Sequence, residues 1–356
     1  MSQSVVPKLP SKRIPYVRLG KSGLKVSRVI LGCMSYGDSQ WADWVLSEEE
    51  AIKHIKYAYD AGINAFDTAD MYSNGLSEEI LGRAIKELNL PREEIVVMTK
   101  FFGVVSRDKS ETVVDMNKAE SEGRYVNQWG SSRKHIFDAV KQSLKRLQLD
   151  YIDVLQMHRF RGDEFPLEET MEALHDVVKA GYVRYIGMSS CYAWEFHAMQ
   201  NYAINNRLTS FISMQNHHSL IYREEEREMF PTLKYFGVSA TPWSSLGRGL
   251  LCRPYDKQKA TKRGETDWFL KIYDGSTTME AIVNRVEEVA KKHGVSMAQV
   301  AIAWELSNDV VAAPVVGTTS LANLKDVLEG VHLKLTEEEI KYLQEPYRPM
   351  ETLGIA

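Results

Sequence analysis

The sequence predicts a (β/α)8 TIM barrel, an α/β fold with an N-terminal β-hairpin and long loops at its C-terminal mouth, and three observations predict it. Eight short runs rich in β-branched residues recur along the chain, segments of helical period separate them, and the runs are nearly continuously apolar. Strands with one wet face alternate apolar and polar residues, whereas parallel strands covered on both faces do not. Eight strands alternating with helices point to a closed barrel; a doubly wound sheet, usually of fewer strands, is the alternative. For a chain of 356 residues, roughly 150 residues per domain leaves one or two domains open. The unbroken alternation favours one, spanning 15–343 between tails at 1–14 and 344–356.

The elements follow in order. In PYVRLGKSGLKVSRV, apolar residues flank Gly20-Lys21-Ser22-Gly23, a hairpin pattern placed to cap the barrel bottom. The strand runs are VSRVILG (26–32), INAFDTA (63–69), IVVMTK (95–100), YIDVLQMH (151–158), YIGMSS (185–190), FISMQN (211–216), VSATPWS (238–244) and VVAAPVVG (310–317). Capping-box patterns at Ser47 with Glu50, Ser296 with Gln299 and Thr336 with Glu339 mark helix starts. Over 278–293, Met279, Ile282, Val283, Val286, Val289 and Ala290 share a helical face, and Glu287, Glu288, Lys291 and Lys292 fill the other. Residues 102–130 and 247–277 are long, polar and follow strands, which places them at the mouth as candidate lids.

Composition narrows the function. With 44 Lys+Arg against 48 Asp+Glu, the formal charge is −4. No basic stripe is available to displace counterions from nucleic-acid phosphates. No apolar run of about 18 residues spans a membrane, and the start MSQSVVPKLPSKRIP lacks the apolar core of a secretory signal, so a cytoplasmic location is expected. Cys33, Cys191 and Cys252 are too scattered for a disulfide framework and read as reduced thiols. His217 and His218 are adjacent and cannot both face one ion from a helix, so no metal site is expected.

Three successive runs end on ionisable groups: Asp67, with Tyr72 five residues on in DTADMY, then Lys100, then His158. Singly, each has a structural explanation as a cap, a packed ring or a rim side chain. Together they are costly to bury unless they pair and serve chemistry. A lysine ammonium beside Tyr72 lowers the phenol pKa, and a carboxylate holds the lysine in place. Tyr72 then donates a proton to a carbonyl oxygen, with His158 as a second donor to the same oxygen. No side chain supplies hydride, so a nicotinamide cofactor is required.

The stretches LGCMSYG, AFDTADMYSNGLSEEILGRAI, VVMTK, LKRLQLDYIDVLQMHR, VRYIGMSS, MQNHHSL and PWSSLGRGLL resemble, in that order, the signature segments of the aldo-keto reductase superfamily over about residues 16–343. The resemblance implies that Asp67, Tyr72, Lys100 and His158 are the catalytic positions and that NADPH binds in extended form without a Rossmann fold; no GxGxxG occurs. It implies cofactor contacts from Gly32, Cys33 and Met34 on the first strand. Ser189, Ser190 or its neighbour Cys191, and Gln215 would face the carboxamide, and Trp243 would stack on the nicotinamide. Ser244, Leu246, Gly247, Arg248 and Gly249 would lie over the pyrophosphate. The adenosine phosphates would meet Gly317, Thr318, Thr319 and Asn323 at a helix N-terminus. Many NADPH-dependent relatives carry Arg or Lys near Thr319, where this chain offers only the hydroxyls of Thr318, Thr319 and Ser320. Arg248 or Lys325 would then supply the charge, and NADH stays open as the alternative.

By the same resemblance, His158 favours C=O over C=C reduction, because relatives that reduce double bonds carry Glu there. The expected activity is NADPH-dependent reduction of an aldehyde or ketone, with a small-molecule carbonyl substrate. Tyr36, Trp41, Trp44, Phe102, Trp129, Phe160 and Trp268 are candidates to line its mouth. Two alternatives differ in class. One is a non-catalytic nicotinamide-binding regulatory subunit resembling potassium-channel β subunits. The other is a barrel using Lys100 as a Schiff-base nucleophile. The segment YVNQWGSSRKHI and the ending EPYRP look similar to fungal members of the superfamily.

Overall fold

A computed structural model describes residues 8–10, 13–111, 114–258, 261–273 and 278–353. The first seven residues of the N-terminal tail, the last three of the C-terminal tail and parts of the 102–130 and 247–277 segments lie outside the described residues, as does the side chain of Trp268.

The chain begins with the expected hairpin, β1 (Tyr16–Arg18) antiparallel to β2 (Lys25–Ser27). Eight parallel strands then form one sheet: β3 (Ile30–Gly32), β4 (Ala65–Asp67), β5 (Val96–Phe101), β6 (Ile152–Met157), β7 (Val183–Ser189), β8 (Phe211–Gln215), β9 (Ser239–Ala240) and β10 (Val315–Val316), in the order β10-β3-β4-β5-β6-β7-β8-β9. Backbone bonds from Ala240 N to Val310 O, from Ala312 N to Ala240 O and from Val315 N to Pro242 O join the two ends, so the sheet closes as a barrel. The seventh and eighth runs were expected to be full strands, yet β9 and β10 are two residues each. Pro242 and Pro314 have no N–H to give a ladder, and the closure rests on isolated bonds around them.

The helices among the described residues are α1 (Glu48–Asp60), α2 (Leu76–Glu87), α3 (Met116–Ser121), α4 (Arg133–Leu147), α5 (Leu167–Lys179), α6 (Ala193–Asn205), α7 (Met229–Phe236), α8 (Lys262–Thr266), α9 (Met279–His293), α10 (Met297–Glu305), α11 (Leu321–Gly330) and α12 (Glu337–Gln344), of which α3 and α8 belong to the two long loops. Ser296 caps α10 through Gln299 N, and Thr336 with Glu339 forms a complete capping box on α12. Ser47 stands at the N-cap of α1 in extended backbone but makes no side-chain cap bond; Glu48, Glu49 and Glu50 meet the positive end of the helix instead. The predicted face of α9 is buried, with Met279 at its edge.

Two apolar layers follow from the pleat. Leu31, Phe66, Val97, Leu155 and Ile186 point outward against the helices, in the largest core. Ile30, Ala65, Val96, Met98 and Val154 point inward and meet Val17, Leu19, Leu24 and Val26 of the hairpin, which covers the barrel bottom as predicted. Among the described residues, no helix is long and apolar enough to cross a membrane.

Candidate active site

Following the inward-facing rows upward, the apolar filling gives way to polar groups at the C-terminal ends of the strands. Asp67 pairs in register with Met98, so Lys100 stands one pleat above it on the same face, and Gln156 is the register partner of Lys100. The Lys100 ammonium, 1% exposed, lies 2.5 Å from Asp67 Oδ1 and also donates to Thr68 O at 2.9 Å. Asp67 Oδ2 accepts from Gln156 Nε2 at 2.7 Å and from Gln215 Nε2 at 2.9 Å. A buried ion pair whose spare lone pairs are filled by two amides is the geometry in which such a pair is held rather than merely tolerated.

Lys100 Nζ is 3.3 Å from Tyr72 Oη. The turn that carries Tyr72 is strained: Ser73 and Asn74 both adopt left-handed backbone, at φ 47° and 51°. The Asn74 side chain anchors it, donating to Asp108 O and Glu111 O and accepting from Ser106 N, so the first long loop is tied to the Tyr72 turn. Gly37 is required alongside, since a Cβ there would lie 1.9 Å from Ser73 Oγ. The His158 ring meets the Tyr72 ring edge-on, with centroids 5.8 Å apart, and its buried Nδ1 has no hydrogen-bond partner. The fold therefore brings the four predicted catalytic side chains together.

Their electrostatics differ from the expectation in one respect. Burial pushes the Tyr72 phenol above its ordinary range, and the opposing pull of the Lys100 ammonium does not overcome it. The net direction is up, where the sequence suggested down, because desolving a phenolate costs more than one neighbouring cation returns. Burial alone would lower Lys100, but Asp67 and Tyr72 more than offset it, so Lys100 stays protonated. Burial, then the charges of Arg159 and Lys100, holds His158 well below its usual value and therefore neutral.

The remaining predicted positions ring the same mouth. Ser189 Oγ donates to Gln215 O at 2.8 Å, and Ser190, in left-handed backbone at φ 40°, accepts from Trp243 Nε1 at 3.1 Å. Trp243 stacks at 4.3 Å on His217, which stacks at 4.1 Å on Tyr222, so a three-ring pile sets the indole plane. Gly32 and Gly317 face each other so closely that a Cβ on Gly317 would sit 3.0 Å from Gly32 O. Cys33 is buried beside them and Met34 is half-buried. From Ser244 through Leu246 to Gly249 the chain turns tightly, with Ser244, Gly247, Arg248 and Gly249 all at positive φ.

Arg248 is already paired, its Nη2 lying 2.6 Å from Asp267 Oδ2, which clips the second long loop to this turn. At the start of α11, Thr318 Oγ1 accepts from Ser320 N, and Ser320 Oγ accepts from Asn323 N; Thr319 stands between them. Lys325 leans on Glu329 at 3.6 Å. An aromatic plane, amide and hydroxyl groups at one end, tight glycines between, and a ten-residue helix N-terminus at the other match the parts of a nicotinamide dinucleotide.

Of the aromatic residues expected at the mouth, Tyr36, Trp41, Phe102, Trp129 and Phe160 are buried, Tyr36 and Phe160 within the largest core, while Trp44 is half-buried. Trp129, Phe102 and Phe165 form an edge-to-face cluster that gives the first long loop its own small core. Sequence reasoning missed Gln156, Arg159 and His217. Gln156 had a signal, a polar residue two positions before His158 and so on the same face of the run.

Such a ring of buried polar groups at the C-terminal mouth of a barrel defines an enzyme of the (β/α)8 class. The Aldo/keto reductase family model matches residues 28–348, and the chain belongs to that family. It is 51% identical over 338 residues, 94% of this chain and 97% of the relative, to the versiconal hemiacetal acetate reductase of Aspergillus parasiticus. It is 45% identical to aldo-keto reductase AFTS1 of Alternaria alternata, over 99% of this chain and 97% of the relative. Aldo-keto reductase dtxS3 of Metarhizium robertsii matches at 42%, over 99% of this chain and 96% of the relative. The protein is accordingly an oxidoreductase of the carbonyl–alcohol type, and its resemblance to fungal members holds.

Proposed function

We propose that this protein reduces an aldehyde or ketone to the alcohol with NADPH, and that Tyr72 is the general acid. The observation that carries the reading is Tyr72 Oη at 3.3 Å from an ammonium locked to Asp67, with the neutral imidazole of His158 against the same ring. A bound nicotinamide nucleotide supplies the hydride that no side chain can.

The protein's own groups do the rest. Trp243, held by His217 and Ser190, presents a flat apolar wall that fixes one ring face and excludes water from it. Ser189, Ser190 and Gln215 offer polar contacts beside it. The phenol keeps its proton in the resting site because burial disfavours the phenolate, and it gives that proton to the carbonyl oxygen as negative charge develops there. Lys100 lowers the cost of the phenolate left behind, and His158 adds a neutral donor to the same oxygen. For the 2′-phosphate, since Arg248 is engaged by Asp267, Lys325 on α11 would supply the charge. Its pair with Glu329 is a part-exposed i,i+4 contact of the kind worth at most about 1 kcal/mol, so it exchanges at little cost.

Titrating tryptophan fluorescence with each nucleotide tests this. NADPH should bind more tightly than NADH, and Lys325→Ala should weaken NADPH several-fold while leaving NADH unchanged. Equal binding of the two would remove the preference for NADPH, and binding of neither would remove the enzymatic reading.

A further inference from the structure

Arg159 is a charged group at the mouth that the proposed chemistry leaves unused. It follows His158 directly after the end of β6 and is half-buried, and its Nη1 donates to a single acceptor, the carbonyl oxygen of His158 at 2.9 Å. No carboxylate lies within ion-pair distance of it among the described residues. Other arginines near it in sequence or burial are treated differently. Arg161, two residues on, meets Glu164; Arg146 meets Glu78, Arg223 meets Glu226 and Arg248 meets Asp267. Arg28, which has no ion pair, is given three carbonyl oxygens. Burial pulls the Arg159 guanidinium down to about 10; a charge desolvated to that extent with one neutral acceptor is expensive, and folds retain such a charge where a ligand completes it.

Arg159 stands beside His158, whose ring meets Tyr72 edge-on. Its charge acts on His158 and Tyr72, lowering each, and also on His217, stacked on the indole of Trp243, which places it at the reacting end of the mouth. The proposed phosphate contacts start elsewhere on the ring: the turn at Ser244–Gly249 follows β9, three strands from β6, and the α11 N-terminus follows β10, four strands from it.

We infer that Arg159 anchors an anionic oxygen of the substrate, so that the preferred substrates are carbonyl compounds bearing a carboxylate within a few bonds of the reacting carbon. This rests on the carbonyl-reductase reading above. The planar fork of a guanidinium matches a carboxylate bidentately, which a lysine cannot do, and the same contact orients the carbonyl toward Tyr72 and His158.

Two matched pairs test it: a 2-oxo acid against its methyl ester, and 2-carboxybenzaldehyde against its methyl ester. The wild type should favour each acid by at least tenfold in kcat/KM, chiefly through KM. Arg159→Met should abolish that ratio and Arg159→Lys should restore part of it. Wild-type preference for the esters, with good turnover, would overturn the inference and leave the reductase reading standing. Calorimetric binding of oxamate, a non-reducible carboxylate, with the nicotinamide nucleotide present decides the matter independently of turnover. Binding to the wild type and tenfold weaker binding to Arg159→Met supports the inference, and equal or undetectable binding to both overturns it.

Discussion

At its N-terminal end the barrel interior is shut by Val17, Leu19, Leu24 and Val26 of the hairpin, packed on Ile30, Ala65, Val96 and Val154; at its C-terminal end the same inward rows continue into Asp67, Lys100, Gln156 and Gln215. One end gains free energy simply by leaving water. The other must answer each buried polar atom with a partner, and at His158 Nδ1 and Arg159 the answer is incomplete. The bottom is closed by apolar packing, whereas the top holds a paired polar cluster with unmet bonding capacity at these two side chains. Non-glycine residues at positive φ occur at both ends, Asn89, Gln148 and Arg207 in helix-to-strand turns at the bottom and Ser73, Asn74, Ser190, Ser244 and Arg248 among the predicted site residues at the mouth.

If that division is right, the two ends should respond to substitution in different quantities. Tyr72→Phe, at the top, should cost about 10²–10⁴-fold in kcat and leave the melting temperature and nucleotide titration close to wild type. Lys100→Met should remove activity as well and, by stranding the Asp67 carboxylate, destabilise by about 3–5 kcal/mol in urea unfolding. Adding Asp67→Asn to Lys100→Met should return most of that stability with no return of activity, which separates the pair's structural cost from its chemical use. At the bottom, Leu19→Ala should cost about 2–5 kcal/mol through the cavity it leaves. Turnover measured well below its melting temperature should not change.

A smaller effect probes a polar site away from the proposed chemistry. His218 is buried between Glu305, at 2.6 Å, and Glu226, at 3.0 Å. Burial alone would lower it, but the two carboxylates raise it to about 9 from an ordinary 6.5. A group raised on folding stabilises fully below its unfolded value, and that contribution is lost as pH rises through the folded one. The melting temperature should therefore fall between about pH 7 and 10, and His218→Gln should flatten that fall. A wild-type profile no steeper than the variant's would show that His218 is neutral in the fold.

Much of this molecule was readable before folding. The apolar runs located all eight strands, and Asp67, Lys100 and His158 stood out because an ionisable group at the end of a buried run needs a reason. What stayed hidden had no local signature. Pro242 and Pro314 truncate the last two strands, but whether the barrel still closes depends on Ala240 meeting Val310 and Ala312 across the ring. Ser47 sits at its cap position without making the cap bond, a choice that sequence spacing does not reveal.

By itself, then, the sequence determined where the eight strands lie, which face of α9 is buried and that Asp67, Lys100 and His158 stand at strand ends, because periodicity and strand ends are local properties of the chain. Only the tertiary structure decided the direction of the Tyr72 shift, the engagement of Arg248 with Asp267 and the isolation of Arg159. Each of these depends on a sum over neighbours that come from distant parts of the chain. Desolvation and charge pairing nearly cancel in that sum, so the sign appears only once every neighbour is in place.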